Sequence, residues 1–155
     1  MNLTSTTFVN NGKIPARYTC EGDNVHPPLV FTSVPAETHS LALTMEDWDV
    51  PKQLAPQGYF DHWVLFNIPV GTVKIDEGQL VGTLGSNSAG KAAYAGPCPP
   101  VEYEPSEHSY TFRLYALNRY LDLKPGATKA DVETAMEGHI IAQAKLVGRY
   151  KKEMA

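Results

Sequence analysis

Runs of apolar residues with a period of two, or with no break, predict that this chain is built mainly from strands. Residues 41 to 46 alternate large apolar with small or polar side chains, which predicts a half-buried strand ending at Asp47. Residues 62 to 68 are almost continuously apolar, as in a central strand covered on both faces. Residues 109 to 117 are rich in aromatic and β-branched residues, which indicates a third core strand. Shorter runs predict strands at residues 29 to 32, 73 to 75 and 143 to 151.

One helix is predicted near the C-terminus. It follows Pro125 and Gly126, where Thr128 is a suitable N-cap. The apolar positions that then recur at helical spacing are Val132, Ala135, Met136 and Ile140. The 12 prolines and 12 glycines are scattered along the chain, which indicates frequent turns and no low-complexity linker. The pattern therefore predicts a mainly β, two-sheet domain over residues 1–155 with one helix near the C-terminus.

Composition excludes several classes of protein. With 13 basic and 17 acidic residues the net charge is −4, and no basic stripe is present, so nucleic acid is not expected as a partner. The N-terminus lacks the pattern of a signal peptide and no apolar run is long enough to span a membrane, which predicts a cytoplasmic protein. Cys20 and Cys98 do not form a Cys-x-x-Cys motif, so neither a disulfide framework nor a structural zinc site is expected.

Polar residues with useful chemistry fall at the ends of the predicted strands. Asp47 and Asp49 follow the first long strand, His62 opens the second, and His108 and Tyr110 open the third. Strand ends and their loops are where binding sites are commonly built. If these strands converge, the five residues line one pocket, in which the imidazoles and the phenol supply hydrogen-bond donors to a small anion.

Each of these residues also has a purely structural interpretation. Asp47 and Asp49, taken alone, are typical turn-forming acids at a strand end. His62 in an apolar run suits a half-buried histidine whose hydrogen bonds are satisfied. His108 and Tyr110 lie two positions apart and would share a face in any packed strand. The local pattern by itself leaves both interpretations open.

A wider set of segments favours the pocket. The segments are Ala16–Asn24 with Pro27–Leu29, the acidic strand end, His62-Trp63, Gly96–Pro100 and His108–Tyr110. In this order, and over nearly the whole chain, they resemble the phosphatidylethanolamine-binding proteins, in particular their bacterial and archaeal Raf-kinase-inhibitor-like branch. The resemblance implies a two-sheet β-sandwich with Greek-key connections and a helical C-terminal region.

The resemblance also implies a small anion pocket that takes phosphate-like groups. Asp47 and Asp49 match the two acids of the family's Asp-Pro-Asp-Ala-Pro motif, and Pro51 matches its final proline, which often follows a cis peptide bond. The other matching residues are His62 at the start of the central strand, the His-x-Tyr pair His108 and Tyr110, and the proline loop with Pro97, Pro99 and Pro100. We expect the aspartates to orient and charge the histidines, so that binding strengthens as the pH falls. Trp48 and Val50 depart from the motif, which predicts a differently shaped loop.

The predicted function is a non-enzymatic binding module for a phosphorylated small molecule, lipid headgroup or phosphopeptide, with no cofactor and no metal ion. Regulation of a partner protein is part of this prediction, while kinase inhibition is an analogy to eukaryotic relatives. No segment suggests stable membrane insertion, and exposed edge strands would suit a homodimer.

Two alternative functions remain open at this point. The first is a hydrolase with Cys98 as nucleophile, His62 or His108 as base and an aspartate as the orienting group. The second is a metal site built from Asp47, Asp49, His62 and His108.

Overall fold

In the described part of the chain, two β-sheets and one α-helix form the fold. The computed structural model describes residues 1 to 153. The strands are β1 (Asn2–Thr4), β2 (Gly12–Lys13), β3 (Leu29–Thr32), β4 (Ser40–Asp47), β5 (Phe60–Pro69), β6 (Lys74–Ile75), β7 (Thr83–Leu84), β8 (Glu107–Leu117) and β9 (Ile140–Lys151). Helix α1 spans Lys129–Met136, and a 3-10 turn spans Ala16–Tyr18. The predicted class, mainly β with two sheets and a helix near the C-terminus, is confirmed.

The larger sheet brings the predicted core strands side by side. Its order is β2-β9-β8-β4-β5-β7, while the smaller sheet has the order β1-β3-β6. Strand β4 lies between β5 and β8 and is antiparallel to both. In this register Asp47 pairs with Phe60 on one side and with Tyr110 on the other. The ends of β4, β5 and β8 therefore meet at one edge of the sheet.

Apolar residues cover both faces of the larger sheet. One face packs against the smaller sheet and buries side chains such as Leu43 and Phe112 together with Phe31 of β3. The other face packs Val64 and its neighbours against α1, through Val132. All eight residues of β4 are buried, so the prediction of a half-buried strand was wrong. On the side of β4 that was expected to face water, Ala42 packs in the same cluster as Val132 of α1, and Glu46 is bonded to Lys129 of the helix.

Helix α1 begins as predicted and ends earlier. The Thr128 hydroxyl accepts a hydrogen bond from the Asp131 amide at 3.1 Å, and the Asp131 carboxylate accepts one from the Thr128 amide, which makes a capping box. The predicted helical repeat extended to Ile140, but Ile140 begins β9. Gly138 has a φ of 78°, a conformation that ends the helical path and that glycine adopts without strain. Within residues 1 to 153, no helix is long and apolar enough to cross a membrane.

A disulfide joins Cys20 to Cys98 across 78 positions of sequence. No disulfide framework was expected from the cysteine spacing, and this bond corrects that expectation. The 3-10 turn and the proline loop pack together, and the Cys20 amide donates to the Pro97 carbonyl at 3.1 Å. A pairing that depends on two distant loops leaves no signal in local cysteine spacing. The expected cis peptide bond before Pro51 was also wrong, since the cis bond in the described residues precedes Pro105.

Candidate functional site

A cavity of about 360 Å³ opens where the ends of β4, β5 and β8 meet. The strands contribute Asp47, His62, His108 and Tyr110 to its polar wall, and Asn24 adds a side-chain amide. The four strand residues come from three adjacent strands, and the alternation of side chains along each strand directs them to the same face. The loop that follows β4 and the proline loop supply mainly apolar walls.

Six of the eight predicted site residues line this cavity: Asp47, His62, Pro99, Pro100, His108 and Tyr110. Asp49 and Pro97 lie outside the cavity wall. The Asp49 carboxylate accepts a hydrogen bond from the Ser109 amide at 2.8 Å, so it holds the loop after β4 against β8. The Pro97 carbonyl is bonded to the Cys20 amide. In this structure both residues support the loops beside the cavity, and their part in ligand binding stays a prediction.

Asp47 and His108 form a buried pair in the cavity wall. The distance between Asp47 Oδ2 and His108 Nδ1 is 2.6 Å, and their side chains are 4% and 1% exposed. The other oxygen of Asp47, Oδ1, accepts a hydrogen bond from the Asp49 amide at 2.7 Å. Both carboxylate oxygens are therefore engaged. The negative charge of Asp47 is thus compensated within the protein.

The surroundings of His108 favour its charged form. Burial opposes the charge, but the hydrogen bond with Asp47 and the charges of Asp47 and Asp49 outweigh it and raise the pKa of His108, and the Pro105 carbonyl favours the same form. The Nε2 atom of His108 is buried and has no hydrogen-bond partner in residues 1 to 153. A buried donor without an acceptor is energetically costly. A ligand oxygen at Nε2 would remove that cost.

His62 has a different protonation state from the one expected. Burial lowers the pKa of His62, and the weaker opposing effects of the Ala95 carbonyl and of the Asp47 and Asp61 charges do not reverse this. Its Nδ1 donates to the Ala95 carbonyl at 2.6 Å. The expectation that both histidines are charged by the aspartates was therefore wrong for His62.

Tyr110 contributes a neutral hydroxyl. Burial, together with the charges of Asp47 and Asp49, raises the pKa of Tyr110 far above its usual value, while the Cys98 amide has a smaller opposite effect. The phenol therefore keeps its proton at neutral pH. It remains able to donate a hydrogen bond to an anion.

The disulfide forms part of the cavity wall, since Cys20 and Cys98 both line it. Cys98 has no thiolate while this bond exists, which argues against the alternative of a cysteine hydrolase. Among residues 1 to 153, no group of three histidine, cysteine or acidic side chains is placed to hold a metal ion. Asp47 and His108, two of the four residues of the metal-site alternative, are bonded to each other.

Sequence reasoning missed a buried cluster of charges on the opposite face of the larger sheet. Glu46 accepts hydrogen bonds from Lys129, at 2.8 Å, and from Arg113. The Lys129 ammonium also lies 3.0 Å from Asp61 and 5.3 Å from the centre of the Trp48 ring. A glutamate inside a predicted core strand was the available signal, because such a charge is rarely buried without a partner.

The fold and this cavity define a known class of protein. The chain belongs to the phosphatidylethanolamine-binding protein family, whose sequence model matches residues 4–151.

Similar proteins cover the chain almost completely. A UPF0098 protein from Methanothermobacter thermautotrophicus is 45% identical over 98% of this chain and 99% of its own length. The crystal structure of CT736 from Chlamydia trachomatis has a TM-score of 0.93 at 40% identity, covering 98% of this chain and 97% of that one. YbcL from Escherichia coli, described as a member of the mammalian family, has a TM-score of 0.86 at 26% identity over 98% of both chains.

Proposed function

We propose that this protein is a non-enzymatic binding module that holds a small phosphate-like anion in the cavity between β4, β5 and β8. The observation that carries the proposal is the buried pair of Asp47 and His108. Asp47 helps to keep the pKa of His108 above its usual value, and Nε2 of this histidine has no partner in the described residues. A phosphate oxygen at Nε2 would make a charge-assisted hydrogen bond. The Tyr110 hydroxyl supplies a second, neutral donor.

The apolar walls support a ligand that is larger than a free inorganic anion. Leu54, Phe60 and Pro100 lie around the polar residues, in a cavity of about 360 Å³. An organic group attached to the anion would bury apolar surface against these side chains. Phosphorylated small molecules, lipid headgroups and phosphopeptides all combine an anion with such a group. Regulation of a partner protein, including a kinase-inhibitor role, would follow if the bound phosphate belongs to that partner.

The absence of a reaction is part of the proposal. Asp47 uses both carboxylate oxygens within the protein, so it is poorly placed to act as a general base. The sulfur of Cys98 is bonded to Cys20. The groups of the cavity wall are thus suited to holding charge rather than to transferring protons or acyl groups.

NMR titrations with inorganic phosphate, phosphoethanolamine and phosphotyrosine test the proposal. We expect saturable shifts of the His108 ring and of residues 95 to 100. The His108→Ala variant should lose these shifts, whereas His39→Ala should keep them because His39 is exposed and lies outside the cavity. Thermal unfolding of both variants checks that they are folded. If none of the three anions gives a saturable shift in the parent protein, the proposed function is wrong.

A further inference from the structure

The two histidines of the cavity differ in their hydrogen-bonding character. A carbonyl oxygen only accepts, so the 2.6 Å contact between His62 Nδ1 and the Ala95 carbonyl requires the proton to be on Nδ1. The Ala95 amide in turn donates to the His62 carbonyl at 2.9 Å. These two bonds hold the histidine and the loop together. The Nε2 atom of a neutral His62 is therefore a lone-pair acceptor.

The surroundings of His62 keep it neutral. The residue is 6% exposed. Its ring makes edge-on contacts with the rings of Phe60 and Tyr110, at centroid distances of 4.7 and 5.2 Å. The charged groups that act on it are Asp47 and Asp61, which favour protonation, and His108, which opposes it. Burial outweighs the acids and lowers the pKa of His62. His108 has the opposite character, since its Nδ1 faces a carboxylate and its charged form makes Nε2 a donor.

On the strand side of the cavity, a ligand therefore meets donors at His108 and Tyr110 and an acceptor at His62. A fully deprotonated oxygen placed against His62 Nε2 could not form a hydrogen bond, because both atoms would present only lone pairs and would repel each other. A phosphomonoester has its second pKa near 6, so close to neutrality part of it carries one P–OH group. That group can donate to His62 while the remaining oxygens accept from His108 and Tyr110. A sulfate monoester or a phosphodiester has the same single negative charge but no such proton.

Resting on the proposed anion-binding function, we infer that His62 is a specificity-determining acceptor and that the cavity selects an anion carrying its own hydrogen-bond donor, above all a singly protonated phosphomonoester. The observation that carries this inference is the bond from His62 to the Ala95 carbonyl, which assigns the ring proton. A site with a built acceptor rejects an analogue that lacks the matching donor, because the acceptor is then buried without a partner.

A charge-matched set of ligands tests the inference on the parent protein. Phenyl phosphate, phenyl sulfate and methyl phenyl phosphate share the aromatic group, and only the first carries a P–OH. At pH near 5.5, where most of the phenyl phosphate is singly protonated and carries one negative charge, we expect it to bind roughly tenfold or more tightly than either of the others. Equal affinities would overturn the inference and leave the anion pocket in place. No binding by any of the three would overturn the proposed function, and this inference with it.

A variant and a direct measurement of the ring test the role of His62. The side-chain amide of His62→Gln can either donate or accept, so this variant should reduce the selectivity at least several-fold, while the exposed control His39→Gln keeps it. Thermal unfolding checks that both are folded. Nitrogen-15 spectra of the parent at the same pH should show a neutral His62 with its proton on Nδ1. Unchanged selectivity in His62→Gln, or a proton on Nε2 in the parent, would overturn the assignment.

One further ligand identifies the source of the donor. The methyl diester of phosphoethanolamine has no P–OH group, but it carries an ammonium group that can donate. If it binds as tightly as phenyl phosphate while methyl phenyl phosphate does not, the donor requirement holds and a headgroup ammonium satisfies it. If both diesters bind weakly, the requirement holds and the monoester proton is needed. Tight binding of both diesters would contradict any donor requirement.

Discussion

Lys129, the first residue of α1, connects the helix to the larger sheet through buried charges. Its side chain is 7% exposed, and its ammonium lies 2.8 Å from Glu46 and 3.0 Å from Asp61. Burial opposes the charge of Lys129, but the two carboxylates outweigh burial and raise the pKa of Lys129. Burial likewise opposes the charge of Glu46, and Lys129 with Arg113 outweighs it and lowers the pKa of Glu46. Each charge is thus stabilised only while its partners are present.

We expect Lys129→Met to lower the free energy of unfolding by about 3 kcal/mol. Methionine keeps the length of the side chain, but it leaves Glu46 and Asp61 without the ammonium. Removing one partner of a buried ion pair costs about 3 to 5 kcal/mol. The lower value applies because Arg113 still pairs with Glu46. For a domain of this size the melting temperature should fall by about 6 to 12 °C.

Urea denaturation of a double-mutant cycle measures this effect. The variants are Lys129→Met, Glu46→Gln and their combination, and the control is Lys124→Met, because Lys124 is exposed. The combined variant should lose at least about 1 kcal/mol less than the sum of the single losses, since the two charges stabilise each other. A loss below about 1 kcal/mol for Lys129→Met, or additive losses, would refute the reasoning.

The stability that Glu46 contributes should also depend on pH. Its pKa is lower in the folded state than in the unfolded state. The contribution is therefore present above the unfolded-state pKa and is lost as the pH falls through the folded-state pKa. The stability difference between the parent and Glu46→Gln should shrink in acid. A difference that stays constant down to the acid transition would contradict this account.

Three further predictions concern the cavity. Replacing Cys20 and Cys98 with serine should lower the free energy of unfolding by about 2 to 4 kcal/mol, because the bond closes a long loop, and equal urea midpoints would contradict this. The raised pKa of His108 means that its contribution to stability is present below the unfolded-state pKa and is lost as the pH rises through the folded-state pKa. The affinity for the anion should fall as the pH rises through the same range. NMR titrations that give the same affinity at every pH would contradict this prediction. Gly96→Ala should lower the free energy of unfolding by about 1 to 3 kcal/mol and weaken anion binding, because the added Cβ would lie 2.5 Å from a backbone oxygen. In the control Gly71→Ala the added Cβ has nothing within 4 Å, so this variant should match the parent in both assays.

The sequence by itself determined the class of the fold and the position of the candidate site. Strand β4 was identified by an apolar pattern with a period of two, β5 by an unbroken apolar run, and β8 by its aromatic and β-branched residues. None of these patterns requires knowledge of what covers the strand. The N-cap of α1 is equally local, because Thr128 and Asp131 satisfy each other's amides within one turn. The polar residues at the strand ends were recognised for the same reason, and the wider resemblance joined them into one pocket.

Only the tertiary structure decided how these residues are used. The disulfide joins positions 78 residues apart, and Glu46 and Lys129 are 83 residues apart, so no local spacing encodes either pair. The proton on His62 depends on a carbonyl 33 residues away that the proline loop brings to it. Asp47 and Asp49 are near neighbours with the same chemistry, yet one lines the cavity and the other holds Ser109. Burial, protonation and hydrogen-bond direction are properties of contacts between distant segments, and the chain acquires them only when the two sheets, the helix and the loops have packed together.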